Sequence, residues 1–244
     1  FEPYDRLSPT IVEGTEALVD AAERSGVERI VFGSSLFAHG PEDGAVVDDT
    51  SPTTPLLDYG RAKLDAESAM TSARLSAGTV SVRLPHVYGW NDLLFGILRS
   101  GYLPFPADLD RRFPHLHVTD AARVLVAAVE RGGSGPAVVA DDVMVDWRTF
   151  FEVVTTYSPS SRVIPLPGTP IRAALSLLDR LPLRTPTMLA ADTIRGWNLE
   201  LSTESGTLDR FGLEPAFPSV ETGIPDVLDG ALPWRWRHPV LDRR

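Results

Sequence analysis

Among the 23 lysines and arginines of this 244-residue chain, one alone is a lysine. That residue, Lys63, stands four positions after Tyr59 in Asp58-Tyr59-Gly60-Arg61-Ala62-Lys63. On a helix this spacing puts both side chains on one face, about 5–6 Å apart at Cβ. A phenol and an ammonium so placed form an acid–base pair. An unperturbed phenol has a pKa of about 10 and is a poor base at neutral pH, but a cation within about 4–6 Å favours the phenolate. Lys63 is therefore expected to lower the pKa of Tyr59 toward the range in which it trades a proton with a substrate hydroxyl or carbonyl. An arginine would not serve, because a guanidinium stays charged and is built for forked recognition. A composition otherwise given over to arginine that keeps one ammonium at this position points to a chemical requirement.

Other residues of chemical interest fall where a parallel sheet would present them. Arg29-Ile30-Val31-Phe32 reads as a buried strand ending at Gly33-Ser34-Ser35, and Val80 to Leu84 reads as a second strand halted by Pro85. Ligands bind outside the carboxyl ends of parallel strands, so Ser34, Ser35 and Pro85 to Tyr88 belong at one cleft with the Tyr59/Lys63 helix that lies between the two strands in sequence. Tyr59 would be the proton donor and acceptor there, and Ser35 would hold the substrate oxygen by a hydrogen bond. His86 and His39 are candidate substrate ligands, with a satisfied polar group near a turn as the alternative for each. His115 and His117 are read as structural, since no carboxylate at metal-ligand spacing supports a zinc site; no metal is expected. Asp120 is read as the cap of its helix, and Asp108 to Arg112 as a solvated loop in which Arg111 or Arg112 could meet an anionic substrate. The Trp234-Arg235-Trp236-Arg237 segment reads as tail packing.

The elements that must position these groups follow from periodicity. Apolar residues at helical spacing run from Pro9 to Gly26, the acidic stretch from Pro41 to Pro55 is a loop, and Leu56 to Leu75 resumes the 3.6 period with Tyr59 and Lys63 in its first two turns. A further helix runs from Thr119 or Asp120 through Glu130, and Ala137 to Ala140 supplies a third strand. Strand, loop, helix, strand is the signature of a right-handed crossover in a parallel sheet. Beyond Asp141 the texture changes to an amphipathic Asp146 to Tyr157, a proline-edged strand-like Arg162 to Pro167, and helices at Ile171 to Leu181, Thr187 to Ile194, Ser202 to Phe211 and Ser219 to Leu228. The fold class is α/β: a partial Rossmann-type, doubly wound parallel sheet over residues 1–142 whose first strands are missing, with a small mixed substrate-binding region over 143–244.

Composition narrows the function classes. A net charge of −10 works against nucleic acid and anionic membranes as partners, and a small-molecule substrate is expected instead. The hydrophobic content of 43% is ample for a core, and the absence of cysteine fits a reducing, cytoplasmic setting. No apolar run reaches the roughly 18 residues that span a bilayer.

These stretches together resemble the extended short-chain dehydrogenase/reductase family, the NAD-dependent epimerase/dehydratases. The matching segments are Glu13-Gly14-Thr15 with Ala21-Ala22, Gly26 through Ser35, Tyr59-Gly60-Arg61-Ala62-Lys63, Val82 through Gly89, and His117-Val118-Thr119-Asp120-Ala121. The resemblance implies NAD or NADP as cofactor, Tyr59 as catalytic acid/base, Lys63 on the nicotinamide ribose, and Ser35 as the third member, Gly40 standing five residues after it as is usual in the family. It further implies Pro85 and Val87 at the nicotinamide end of the cofactor, His86 against the substrate, and homodimerisation through helices that include the Tyr/Lys one. The expected activity is an oxidoreductase or epimerase acting on a secondary alcohol or ketone, either a nucleotide sugar or a steroid- or flavonol-like carbonyl compound.

Departures from the family pattern carry equal information. No G-x-x-G-x-x-G or G-x-G-x-x-G occurs in the chain, so the phosphate-cradling turn and the residue that would discriminate NAD from NADP are not among these residues. A sheet starting at this point is expected to show an exposed edge and an uncovered apolar face. The alternatives are a non-catalytic remnant or dinucleotide-sensing protein, and completion by a separate chain that carries the glycine-rich half. Ile11, His39, His86 and Trp90 stand where asparagine, tyrosine, asparagine and proline are common, which leaves room for carbonyl substrates other than nucleotide sugars.

Overall fold

The computed structural model describes residues 2–40, 46–89, 92–98, 101–131, 133–167, 170–171 and 191–229. Helix α1 (Tyr4–Arg24) buries Thr15, Val19 and Ala22, spaced four and three apart, and ends before Gly26, whose φ of 69° is the left-handed conformation that stops a helix at little cost. Strand β1 (Ile30–Ser35) follows, extending past the expected Phe32 so that both serines are its last residues. A 3-10 turn at Leu36–Ala38 leads on toward helix α2 (Asp58–Ser72) and strand β2 (Thr79–Leu84).

Strands β1, β2 and β6 (Gly135–Val138) form a parallel sheet in that order, with Ser34 opposite Arg83 and Val82 opposite Ala137. The central strand β2 divides its side chains between two layers, as the period of two requires. Val80 and Val82 join a buried cluster with Val124, Ala127 and Ala128 of helix α4 (Val118–Arg131). Thr79 and Arg83 turn the other way, donating to the Met70 carbonyl and the Glu67 carboxylate of α2. Helix α1 packs against α2, held by Tyr4 Oη on Asp65 at 2.5 Å and by the Arg61 guanidinium 4.0 Å above the Tyr4 ring.

The expected edge is present. Among the described residues the sheet ends at β1, whose Ile30, Val31 and Phe32 are half-buried where a central parallel strand would be covered. Beside it α4 exposes Val126 and Val129 at 57% and 55%.

Pro85 diverts the chain out of this sheet. Strand β3 (His86–Tyr88) pairs in parallel with β5 (His115–His117), and β4 (Tyr102–Phe105) with β7 (Arg162–Pro165), after helix α3 (Leu93–Leu98). Helices α5 (Trp147–Tyr157), α6 (Ala191–Trp197) and α7 (Val220–Asp229) complete the described elements. Asp146 caps α5 by accepting from Thr149 N at 2.8 Å. One hydrophobic cluster joins Leu36, Leu57 and Tyr88 to Trp147, Phe150, Val154, Leu199 and Ile224, so packing is continuous across residue 142.

Three expectations need correction. Helix α4 begins at Val118, and the group capping it is His117 Nδ1, which accepts from Thr119 N at 3.2 Å. Asp120 is instead buried and accepts from Ala216 N, Phe217 N and Arg123, tying the chain after residue 213 to α4. Of the helix expected at Ser202–Phe211 only a 3-10 turn at Asp209–Phe211 forms, because Gly206 and Gly212 take φ of 74° and 63° and break the run. The expected helix at 171–181 apart from Ile171, Trp90 and the Trp234–Arg237 segment lie outside the described residues.

Candidate active site

Tyr59 and Lys63 share one face of α2, with the Lys63 ammonium 5.6 Å from the centre of the Tyr59 ring. The ammonium donates to the Gly33 carbonyl at 2.7 Å and sits 4.7 Å over the Phe32 ring, so Lys63 bridges α2 to the end of β1. Burial lowers the pKa of Lys63, opposed by the carboxylate of Glu67 one turn on. Burial also raises the pKa of Tyr59 above its ordinary value, which corrects the expected direction. The physical reason is that the ammonium spends its short contact on a backbone carbonyl while both groups are drawn from water, and desolvation penalises each charged form.

Alternation along β1 sends the two serines to different tasks. Ser34 Oγ donates to Glu67 Oε1 at 2.5 Å, inside a buried network in which Arg83 holds Glu67 in a fork at 3.1 and 2.7 Å. The same guanidinium reaches His39 Nε2 at 3.1 Å, and His39 Nδ1 lies 3.0 Å from the Pro52 carbonyl. Two engaged ring nitrogens make His39 a strut between β2 and the loop before α2. Ser35 Oγ accepts from Phe37 N at 3.2 Å, which stations it at the turn beside α2.

That turn and the helix meet closely because of Gly60. A Cβ at this position would lie 1.9 Å from the Phe37 carbonyl oxygen, a distance no real contact sustains. The missing side chain lets the helix carrying Tyr59 press onto the turn carrying Ser35, and the Phe37 ring stands edge-on to Tyr59 with centroids 6.4 Å apart. The turn that carries Ser35 and the helix that carries Tyr59 and Lys63 thus meet at the carboxyl end of β1.

His86 occupies a second cluster. Its Nε2 lies 3.2 Å from Asp92 Oδ2 and its Nδ1 3.0 Å from His115 Nδ1, a pairing set by the register of β3 on β5. His115 is buried against Trp147 and Phe150, and burial holds its pKa well below the ordinary value. A row of rings connects this cluster to Tyr59: Phe37 to Phe113 at 5.3 Å, Phe113 to Trp147 at 6.5 Å and Trp147 to His86 at 5.2 Å. Pro85 and Val87, half-buried, flank His86 at the carboxyl end of β2. Arg111 is exposed and paired with Glu200 at 3.0 Å. Among the described residues no group of three or more His, Cys, Asp or Glu could hold a metal ion, and no helix is long and apolar enough to cross a membrane.

Sequence reasoning passed over Glu67 and Arg83, although a signal was there. An arginine in a buried parallel strand demands a buried partner, and Glu67 is the carboxylate one turn beyond Lys63.

The family model described as "NAD dependent epimerase/dehydratase family" matches residues 5–140. A 3-diazoavenalumate denitrifying reductase from a Streptomyces species is 30% identical over 91% of this chain and 72% of its own length. The protein y4nG of Sinorhizobium fredii is 28% identical over 70% of this chain and 45% of its own length, so the chain spans about half of that relative. In fold, the chain is similar to the human epimerase family protein SDR39U1 solved with NADPH, at TM-score 0.74 and 18% identity, covering 91% of this chain and 73% of that one.

Proposed function

Because the chain belongs to the NAD-dependent epimerase/dehydratase family, we propose that its Ser35, Tyr59 and Lys63 serve hydride transfer between a nicotinamide and a secondary alcohol or ketone. The residues fit the nicotinamide-ribose end of such a cofactor. An ammonium carries three donors, and the bond to Gly33 uses one of them, which leaves Lys63 able to hold ribose hydroxyls; Pro85 and Val87 would flank the ring. For the pyrophosphate the chain offers no glycine-rich turn. When bound, the dinucleotide supplies the hydride and takes it back.

The observation that carries this reading is the Lys63 ammonium on the Gly33 carbonyl at the end of β1, with Tyr59 on the same face of α2 and the turn carrying Ser35 pressed against that helix at Gly60. The raised pKa of Tyr59 gives it a direction. In carbonyl reduction the carbonyl carbon gains a hydride and its oxygen gains the phenolic proton of Tyr59, so the protonated phenol is the competent form. Ser35 Oγ steadies that oxygen, and Lys63 stabilises the phenolate left behind until solvent returns the proton. His86, fixed by Asp92 and His115, would contact the substrate. Residues 143–244 would form the substrate region, the protein would pair through helices that include α2, and it would work in the cytoplasm.

Titrating the chain with NADH and NADPH while following nicotinamide fluorescence tests this reading: micromolar binding supports it, and no binding at millimolar cofactor contradicts it.

A further inference from the structure

Lys63 and Glu67 stand one turn apart on α2 and bind consecutive residues of β1. The ammonium donates to the Gly33 carbonyl at 2.7 Å, and Glu67 Oε1 accepts from Ser34 Oγ at 2.5 Å. The carboxylate also accepts from Arg83 Nε at 3.1 Å and Nη2 at 2.7 Å, on the β2 residue that register sets opposite Ser34. Arg83 is fixed in turn. His39 Nδ1 lies 3.0 Å from the Pro52 carbonyl, which can only accept, so the ring proton is on Nδ1 and the bare Nε2 accepts from Arg83 Nη1 at 3.1 Å. A proton on Nε2 would face the guanidinium's own. Ser34, Glu67, Arg83 and His39 are all buried, and the direction of each bond in this row is settled. A carboxylate gripped by donors from two strands holds a constant distance from the ammonium one turn before it.

We propose that Glu67 is a positioning residue of the Tyr59 site, supplying the fixed counter-charge that holds the Lys63 ammonium in place at the end of β1. The proposal rests on the hydride-transfer reading for its part in turnover, because Lys63 answers a phenolate only while it carries its proton. A half-buried lysine is driven toward the neutral amine by loss of water, and the carboxylate of Glu67 opposes that drive. Between Ile30 and Ser35 the strand beneath Lys63 has no ionisable side chain, so the counter-charge comes from the lysine's own helix. A neutral amide at position 67 could accept the same bond from Ser34 but would bring no charge.

The lone lysine makes the test selective, since protein grown on lysine isotopically labelled at Cε gives a single NMR signal whose position follows the protonation of Lys63. In Glu67→Gln, which keeps the shape and the acceptor for Ser34 but removes the charge, the Lys63 titration is expected to move to lower pH than in wild type. A merely structural role gives the opposite sign, because a loosened helix admits water and carries the titration up toward that of an exposed lysine. Glu67→Asp, which keeps the charge, should titrate nearer to wild type than Glu67→Gln does. Where the single amide variant fails to fold, Glu67→Gln combined with Arg83→Met strands no charge and should still titrate below wild type, Glu67 being the charge that acts on Lys63. The proposal is overturned if the folded single variant, or the double in its place, titrates at or above wild type. A titration that moves as expected in a protein that oxidises no NADPH would sink the hydride-transfer reading alone, whereas NADPH oxidation with an unmoved titration would sink the present proposal alone.

Discussion

The ammonium of Lys63 is bound to the Gly33 carbonyl at 2.7 Å while it lies 5.6 Å from the centre of the Tyr59 ring. It is thereby a clasp between helix and strand, and in the proposed chemistry it would also be the charge that answers a phenolate. Lys63→Arg keeps the charge but replaces a compact ammonium with a longer planar fork that does not fit the same carbonyl. Turnover should fall on the order of tenfold or more, with thermal stability changed far less, as steady-state kinetics and a melting curve on the same preparation would show. A variant with wild-type kcat would contradict the role given to the ammonium.

Glu67 and Arg83 are buried, at 6% and 4% exposure, and share a forked ion pair. Removing one partner strands a charge in the interior, so Arg83→Met should cost about 3–5 kcal/mol in urea unfolding. The double variant Glu67→Leu with Arg83→Met should cost less than the sum of the singles. Strict additivity would mean that the two side chains do not depend on each other.

Gly60→Ala places a methyl group into the Phe37 carbonyl. Helix and turn must then separate, with a stability loss of about 1–3 kcal/mol from overpacking and a larger proportional loss of activity, because the parting surfaces carry Tyr59 and Ser35. Equal activity per folded molecule would show that their approach does not matter.

Asp141 is held up to about 8 by burial, only partly offset by the His117 N–H and the Tyr88 hydroxyl that its carboxylate accepts. A carboxyl whose folded pKa is raised gives the native state the extra proton, so its contribution is fully present below the unfolded value of 3.8 and is lost as pH climbs through about 8. Over that window native stability should decline by up to about 1.4 kcal/mol per pH unit from this group. Asp141→Asn, which stays neutral, should flatten the profile. The check is the difference between wild-type and variant unfolding free energies from pH 4 to 9; a constant difference would refute it.

The sequence discloses those elements whose reasons are local. Val19 and Ala22 at helical spacing before Gly26, and the valine-bearing run of β2 before Pro85, are visible because periodicity and punctuation act within a few residues. The Tyr59–Lys63 spacing is legible for the same cause, whereas the direction of the Tyr59 pKa is not, since it depends on how much water reaches the ring. Strands β3 and β5 are three residues each, too short for any alternation to register. Asp120 resembles a cap by position, yet its carboxylate serves Ala216 and Phe217, almost a hundred residues away. Phe37 passes as an ordinary turn residue until Gly60, Phe113 and Tyr59 are seen around it.

The proton carried by Tyr59 is the centre of the account, and Tyr59→Phe removes that proton while leaving the ring in place. The direct measurement is NADPH oxidation by wild type and Tyr59→Phe, coupled to reduction of whichever ketone wild type reduces fastest in a panel of nucleotide-sugar, steroid and flavonol-like carbonyl compounds, with binding of that ketone checked in both. The account predicts measurable turnover in wild type and a fall of about 10²–10⁴-fold in the variant, with ketone affinity lowered by no more than the loss of one hydrogen bond, about tenfold; a variant that turns over at the wild-type rate would contradict it.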